Sequence, residues 1–211
     1  MPAWTFDPAI CLVTDRSFRA ETEFLSTIEA AVDAGVTWVQ FREKAGLSDR
    51  AAWKLAEQVR ELTLRKNVPL IIDDRLDLAM AVDADGVHLG QSDLPLTAVR
   101  PLWKPGKLWG VSVFTAEEAR EARLAGADYV GVGALFPTAT KADALPVAPL
   151  HLPELAAEGL PVIGIGGITP ERTADLRRLG CAGIAVVSAV WNAGDPAAVV
   201  NAFVRAWASG R

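Results

Sequence analysis

The chain has 211 residues, of which 51% are hydrophobic, and it carries a formal net charge of −5 at pH 7 with an isoelectric point near 5.1. This length can bury one large core, and an acidic balance without a basic tract argues against nucleic acid as a partner. The two cysteines predict reduced core residues, and without a signal-peptide pattern or a membrane-spanning apolar run we expect a cytoplasmic protein that does not bind membranes.

Short apolar segments alternate with helical patterns along the chain. Strands are predicted over residues 10–14, 36–41, 68–72, 86–89, 108–112, 128–133, 161–165 and 183–187. Helices are predicted over 22–34, 48–65, 76–82 and 150–158, after Pro95, and from Thr115, Thr169 and Asp195. The starts of these helices carry cap signals, such as Ser48 and the capping-box spacing of Thr115 and Glu118.

Eight strand–helix units without a linker predict one α/β domain over residues 1–211, a closed (β/α)₈ or TIM barrel. The alternative is an open, doubly wound sheet. Against that alternative, no Gly-x-Gly-x-x-Gly fingerprint follows the first strand.

A polar loop follows the sixth predicted strand, in the stretch Phe136-Pro137-Thr138-Ala139-Thr140-Lys141. No apolar pattern in this loop explains its composition by packing. Two hydroxyl groups, backbone N–H groups and an ammonium within four residues suit a phosphate or pyrophosphate. The alternative is a polar surface turn with an incidental lysine.

Charged side chains gather where other strands end, the end at which barrels of this type hold their active sites. Gln40 at the end of the second strand and Arg42 and Lys44 beyond it share one face, and the two cations suit an anion. Asp74 and Asp93 follow the third and fourth strands, and such carboxylates can share Mg²⁺ with substrate phosphates. The alternative role of each aspartate is a helix cap.

The remaining strand ends supply small and hydroxyl side chains. Ser112 ends the fifth strand, Gly167 lies in the glycine-rich turn after the seventh, and Val187 and Ser188 end the eighth. Backbone N–H groups after the last two strands form a phosphate site in many barrels, the alternative being tight turns. His88, inside the fourth strand, is expected to be a core histidine.

Six motifs of this chain, taken together, resemble those of the thiamine phosphate synthase family over residues 10–190. They are Val39-Gln40-Phe41-Arg42-Glu43-Lys44, Ile72-Asp73-Asp74-Arg75, Gly86-Val87-His88-Leu89-Gly90-Gln91-Ser92-Asp93, Gly131-Val132-Gly133, Phe136-Pro137-Thr138-Ala139-Thr140-Lys141 and Gly164-Ile165-Gly166-Gly167-Ile168. The resemblance implies coupling of 4-amino-2-methyl-5-hydroxymethylpyrimidine diphosphate to a (carboxy)thiazole phosphate, with release of pyrophosphate.

The resemblance also implies residue roles. The pyrimidine diphosphate would be held by Gln40, Arg42, Lys44, Asp73, Ser112 and Lys141, of which Arg42, Ser112 and Lys141 would act in catalysis. The thiazole phosphate would be held by Thr138, Thr140, Gly167, Val187 and Ser188, and Mg²⁺ by Asp74 and Asp93. Since the thiazole nitrogen attacks the pyrimidine itself, no protein nucleophile is required.

This chain departs from the family pattern at two positions: the family usually has Asn where Asp73 stands and often His where Phe114 stands. Three alternatives remain open, namely a thiazole tautomerase, another phosphate-binding barrel isomerase, and a non-catalytic phosphate-binding barrel. We expect small molecules as partners. The sequence leaves open a homo-oligomer and the choice between carboxylated and plain thiazole phosphate.

Overall fold

The computed structural model describes residues 6–138 and 146–210. Its sheet is a closed barrel of eight parallel strands in chain order, with the first strand hydrogen-bonded to the last. The strands are β1 Ile10–Val13, β2 Trp38–Phe41, β3 Leu70–Asp73, β4 Gly86–Leu89, β5 Leu108–Val113, β6 Tyr129–Val132, β7 Val162–Ile165 and β8 Cys181–Val186. The predicted (β/α)₈ barrel is confirmed, and the open sheet is excluded.

Helices connect these strands and pack around the barrel. They are α1 Glu21–Asp33, α2 Asp49–Lys66, α3 Leu76–Ala81, α4 Leu96–Val99, α5 Ala116–Ala125, α6 Leu152–Ala157, α7 Pro170–Arg178, α8 Ser188–Trp191 and α9 Pro196–Ser209. Short 3₁₀ turns lie at Arg16–Phe18, Arg100–Leu102 and Pro149–His151. None of the described helices has the length and hydrophobicity needed to cross a membrane.

The cap signals mostly act as predicted. The Ser48 hydroxyl accepts a hydrogen bond from the Ala51 N–H, and Thr115 and Glu118 form a complete capping box. Thr169 occupies the cap position of α7, but its side chain makes no cap hydrogen bond. The short helix α8 was not predicted.

Two apolar layers build the core. The outer layer lies between the barrel and the helices, where Phe24, Trp191 and Phe203 are fully buried. The inner layer fills the barrel and includes Trp38 and Tyr129. Both cysteines are buried free thiols, Cys11 in the inner layer and Cys181 in the outer, as expected of core residues. That residues 1–211 form one domain stays a prediction.

Glycine makes room for two rings inside the barrel. Strand register places Gly110 directly between His88 on β4 and Tyr129 on β6. A Cβ atom on Gly110 would lie 2.2 Å from the Tyr129 ring and 2.5 Å from His88 Nδ1, and one on Gly131 would lie 2.9 Å from His88 Cε1. The rings therefore occupy the space that larger residues on β5 and β6 would take.

We predict that Gly110→Ala lowers the free energy of unfolding by about 1–3 kcal/mol, the usual cost of overpacking a core. Urea unfolding measures the change. Gly194→Ala is the control, because a Cβ atom there would have no neighbour within 4 Å. Equal stability of the two variants would contradict this account of the barrel interior.

Candidate active site

One cavity of about 680 Å³ opens at the carboxyl ends of the strands. Every predicted site residue that the structure describes lines it: Gln40, Arg42, Lys44, Asp73, Asp74, Asp93, Ser112, Thr138, Gly167, Val187 and Ser188. The predicted residues Thr140 and Lys141 lie outside the described residues. Residues assigned from separate strand ends thus converge on one site, as the barrel topology requires.

Strands β2 and β3 place cations beside carboxylates. Their register pairs Phe41 with Ile72, so Arg42 follows next to Asp73. Arg42 Nε lies 3.6 Å from an Asp73 oxygen, and Lys44 Nζ lies 2.5 Å from Asp74 Oδ2. The hydrogen bond to Asp74 raises the pKa of Lys44, so this ammonium stays charged.

Asp73 is the most deeply placed carboxyl group of the site, with its side chain only 12% exposed. Burial, followed by the charge of Asp74, raises its pKa to about 7, against the lowering effects of Arg42 and Lys44. Gln40 Nε2 donates a hydrogen bond of 2.7 Å to Asp73 Oδ1. This bond fixes the orientation of the Gln40 amide and leaves its oxygen available as an acceptor.

Neither Asp74 nor Asp93 caps a helix. The cap position of α3 is Arg75, which makes no side-chain cap bond, and Asp74 has a left-handed φ of 60°. Asp74 is the centre of a tight turn in which the Arg75 N–H donates to the Asp73 carbonyl at 2.7 Å. Asp93 accepts from the Gly90 N–H at 2.6 Å, ahead of Pro95 at the cap of α4. The helix-cap alternative is therefore wrong for both residues.

The two aspartates meet at one point of the cavity wall. Burial acts to raise the pKa of Asp74, but the hydrogen bond and charge of Lys44 outweigh it, so that pKa is lowered. Burial and the proximity of Asp74 raise the pKa of Asp93, against the lowering effect of the Gly90 N–H. Facing carboxylate oxygens of this kind are donors that suit Mg²⁺.

The opposite side of the cavity is formed by backbone. Gly166 and Gly167 have φ values of 97° and 61°, and a Cβ atom on Gly167 would lie 2.6 Å from the Pro137 carbonyl oxygen. Val187 precedes the first turn of α8, which begins at Ser188. Glycine at 167 is thus required by both its conformation and its contact with the loop after β6.

The start of that loop is anchored by packing, contrary to expectation. The Phe136 ring packs against the outer core, and its N–H donates to the Gly166 carbonyl at 3.1 Å. Arg172, which the sequence did not single out, lies 4.3 Å from the centre of the Phe136 ring and donates to the Gly167 carbonyl at 2.7 Å. Nothing in the sequence around Arg172 distinguishes it from any other exposed helical arginine, so this contact could not be predicted.

His88 is buried, as expected of a core histidine, yet it also lines the cavity. Its Nε2 lies 2.9 Å from Ser112 Oγ and its Nδ1 lies 3.2 Å from the Tyr129 hydroxyl. Gln91 Nε2 donates to the Ser112 carbonyl at 2.7 Å. Ser112 is therefore held through both its side chain and its backbone.

Comparison with known proteins places this chain in a family. The family model described as thiamine monophosphate synthase matches residues 10–190. The chain belongs to the thiamine monophosphate synthase family. It is 46% identical over 187 residues to a thiamine-phosphate synthase from Alkaliphilus oremlandii, covering 88% of this chain and 89% of that protein. It is 43% identical over 203 residues to one from Desulfitobacterium hafniense, covering 95% and 98%.

A solved relative has the same architecture. The thiamine phosphate pyrophosphorylase from Pyrococcus furiosus superposes with a TM-score of 0.88 at 32% identity, covering 97% of this chain and 98% of that one.

We predict that Asp73→Asn preserves or raises the rate of thiamine phosphate formation. The asparagine oxygen can still accept from Gln40, while the charge beside Asp74 is removed. Steady-state kinetics measure the rate, with Asp175→Asn on the exposed face of α7 as the control. A hundredfold fall would instead give Asp73 an essential role of its own.

Proposed function

We propose that this protein is a thiamine phosphate synthase that joins the pyrimidine diphosphate to a thiazole phosphate and releases pyrophosphate. The observation that carries the proposal is one cavity with cations and carboxylates at one side and a glycine-rich turn at the other. Family membership supports the same reaction.

The diphosphate would be held by Arg42, Lys44, Ser112 and Lys141. Arg42 and Lys44 now pair with Asp73 and Asp74, so binding of the diphosphate exchanges one anionic partner for another. These cations then stabilise the charge that develops on the departing pyrophosphate.

Asp74 and Asp93 would hold Mg²⁺, which would supply further charge neutralisation at the diphosphate when bound. Two carboxylates fill only part of the six-oxygen shell that Mg²⁺ prefers, so substrate oxygens and water would complete it. We therefore propose that metal and diphosphate bind together.

The pyrimidine ring would contact Gln40 and Asp73, and the thiazole phosphate would bind Thr138, Thr140, Gly167, Val187 and Ser188. In the reaction the pyrimidine methylene carbon loses its bond to the diphosphate oxygen and gains one to the thiazole nitrogen. The residues act by positioning and by electrostatics, and no protein side chain is a nucleophile.

We propose that the enzyme acts in the cytoplasm, in keeping with its buried, unpaired Cys11 and Cys181. Its substrates are small molecules.

The direct test is to mix the purified protein, Mg²⁺ and both substrates, and to measure thiamine phosphate and pyrophosphate. We expect the two products in equal amounts. Isomerisation of a thiazole phosphate without coupling would favour the tautomerase, and binding without any turnover would favour a non-catalytic barrel.

We predict that the double variant Asp74→Ala/Asp93→Ala loses turnover while keeping its fold, because both side chains line the cavity and neither belongs to the apolar core. Turnover is measured over a Mg²⁺ titration, and circular dichroism checks the fold. The control is Asp33→Ala/Asp175→Ala, which alters two exposed carboxylates on α1 and α7. Near-normal activity at saturating Mg²⁺ would rule out the metal assignment.

We predict that Lys141→Ala lowers kcat by roughly 10²-fold or more, as expected for loss of one preorganised charge-stabilising group. Thr140→Ala should act mainly on the KM for the thiazole phosphate, since uniform binding changes KM. The exposed Lys54 on α2 provides a matched control, Lys54→Ala. A change in KM alone for Lys141→Ala would assign this lysine to ground-state binding.

A further inference from the structure

A chain of hydrogen bonds runs through the barrel interior to the cavity wall. The Tyr129 hydroxyl lies 3.2 Å from His88 Nδ1, and His88 Nε2 lies 2.9 Å from Ser112 Oγ. The three side chains come from the neighbouring strands β6, β4 and β5. Tyr129 is fully buried, His88 is 7% exposed, and Ser112 lines the cavity. The interior of such barrels is normally filled by branched apolar residues, so this polar chain is a specific feature.

The strand register holds the three residues together. His88, Gly110 and Tyr129 form one row across three strands, and Ser112 pairs with Gly131 two residues further along. The glycines leave the space over which the two rings meet, at a centroid distance of 5.5 Å. The contact between His88 and Tyr129 is therefore built into the barrel.

The direction of the hydrogen bonds follows from the tyrosine. Among the described residues, His88 is the hydrogen-bond partner of the Tyr129 hydroxyl. A buried phenol leaves its single O–H unsatisfied unless it donates, and this is costly inside a protein. Tyr129 therefore donates to His88 Nδ1, and the ring proton lies on Nε2. That proton is donated to Ser112 Oγ, which leaves the serine O–H directed at the cavity.

We propose that Tyr129 and His88 are positioning residues that orient the Ser112 hydroxyl as a hydrogen-bond donor to the diphosphate. The inference rests on the proposed function, which places the diphosphate beside Ser112. A diphosphate oxygen only accepts hydrogen bonds, so Ser112 helps only when its proton points into the cavity. The Gln91 amide, bound to the Ser112 carbonyl, holds the backbone while His88 sets the hydroxyl.

The test is a double-mutant cycle with two readouts. One is kcat/KM for the pyrimidine diphosphate in the coupling reaction. The other is calorimetric binding of inorganic pyrophosphate with Mg²⁺, which needs no turnover. The variants are Ser112→Ala, His88→Leu, His88→Gln, Tyr129→Phe and the double variants in the Ser112→Ala background.

We expect Ser112→Ala and His88→Leu each to lower kcat/KM by roughly tenfold, the loss typical of one hydrogen bond to a charged group. Both should weaken pyrophosphate binding, with the KM for the thiazole phosphate unchanged. His88→Gln retains an N–H donor and should recover part of the loss. Tyr129→Phe should give a smaller loss in the same direction. In the Ser112→Ala background, none of these changes should lower either readout further.

Matched controls separate positioning from folding. His151→Leu alters the other histidine of the chain, which is half exposed on the 3₁₀ turn before α6, and should change neither readout. Thermal unfolding is recorded for every variant. If His88→Leu fails to fold, His88→Gln and Tyr129→Phe complete the cycle.

The two proposals fail in different ways. The wild type could bind pyrophosphate with non-additive His88 and Ser112 losses and yet form no thiamine phosphate. That result would overturn the proposed function and support the positioning role of His88 and Tyr129. If the wild type does turn over but the losses from His88→Leu and Ser112→Ala in kcat/KM and pyrophosphate binding are fully additive, only the positioning role of His88 is overturned. A wild type that neither binds pyrophosphate nor forms thiamine phosphate would overturn both.

Discussion

The site depends on the balance of charge between two neighbouring strands. β3 leads into two consecutive carboxylates, Asp73 and Asp74, and burial and the charge of Asp74 act to raise the pKa of Asp73. The parallel register with β2 brings Arg42 and Lys44 alongside, and their charges lower the pKa of Asp73. Buried like charges are costly without partners of opposite charge. Arg42 and Lys44, which follow β2, therefore allow two adjacent carboxylates at the end of β3.

The same balance constrains what can bind. In the protein without ligand, Lys44 pairs with Asp74 and Arg42 lies near Asp73. A diphosphate arriving alone would compete with these carboxylates for the cations, and a metal ion arriving alone would displace Lys44. When both arrive together, each charged side chain exchanges one opposite charge for another. If the proposed function is right, this exchange favours joint binding of the diphosphate and a divalent cation.

Much of this arrangement could be predicted because strand ends converge in a barrel. β4 was predicted to the residue, since Gly86 and the polar Gly90-Gln91 bound a short apolar run. Helix α8 was missed because four residues are too few to show a helical period. Whether Asp74 and Asp93 were caps or ligands could not be settled locally, because an aspartate before a helix suits both roles. The left-handed φ of Asp74 and the Gly90–Asp93 hydrogen bond exclude the cap role, and the role as metal ligands stays a prediction.

The interior of the barrel was beyond sequence analysis for a different reason. Glycine inside a strand normally destabilises the strand or marks a bulge, and a lone histidine in an apolar strand indicates a core position. Here Gly110, which has no side chain, leaves the space in which His88 and Tyr129 meet across β5. The two rings are 41 residues apart in the sequence, so no local pattern indicates their contact. The ring pair in turn decides where the Ser112 proton can point. A cavity wall in this fold is therefore specified by the small residues behind it as much as by the polar residues that face the ligand.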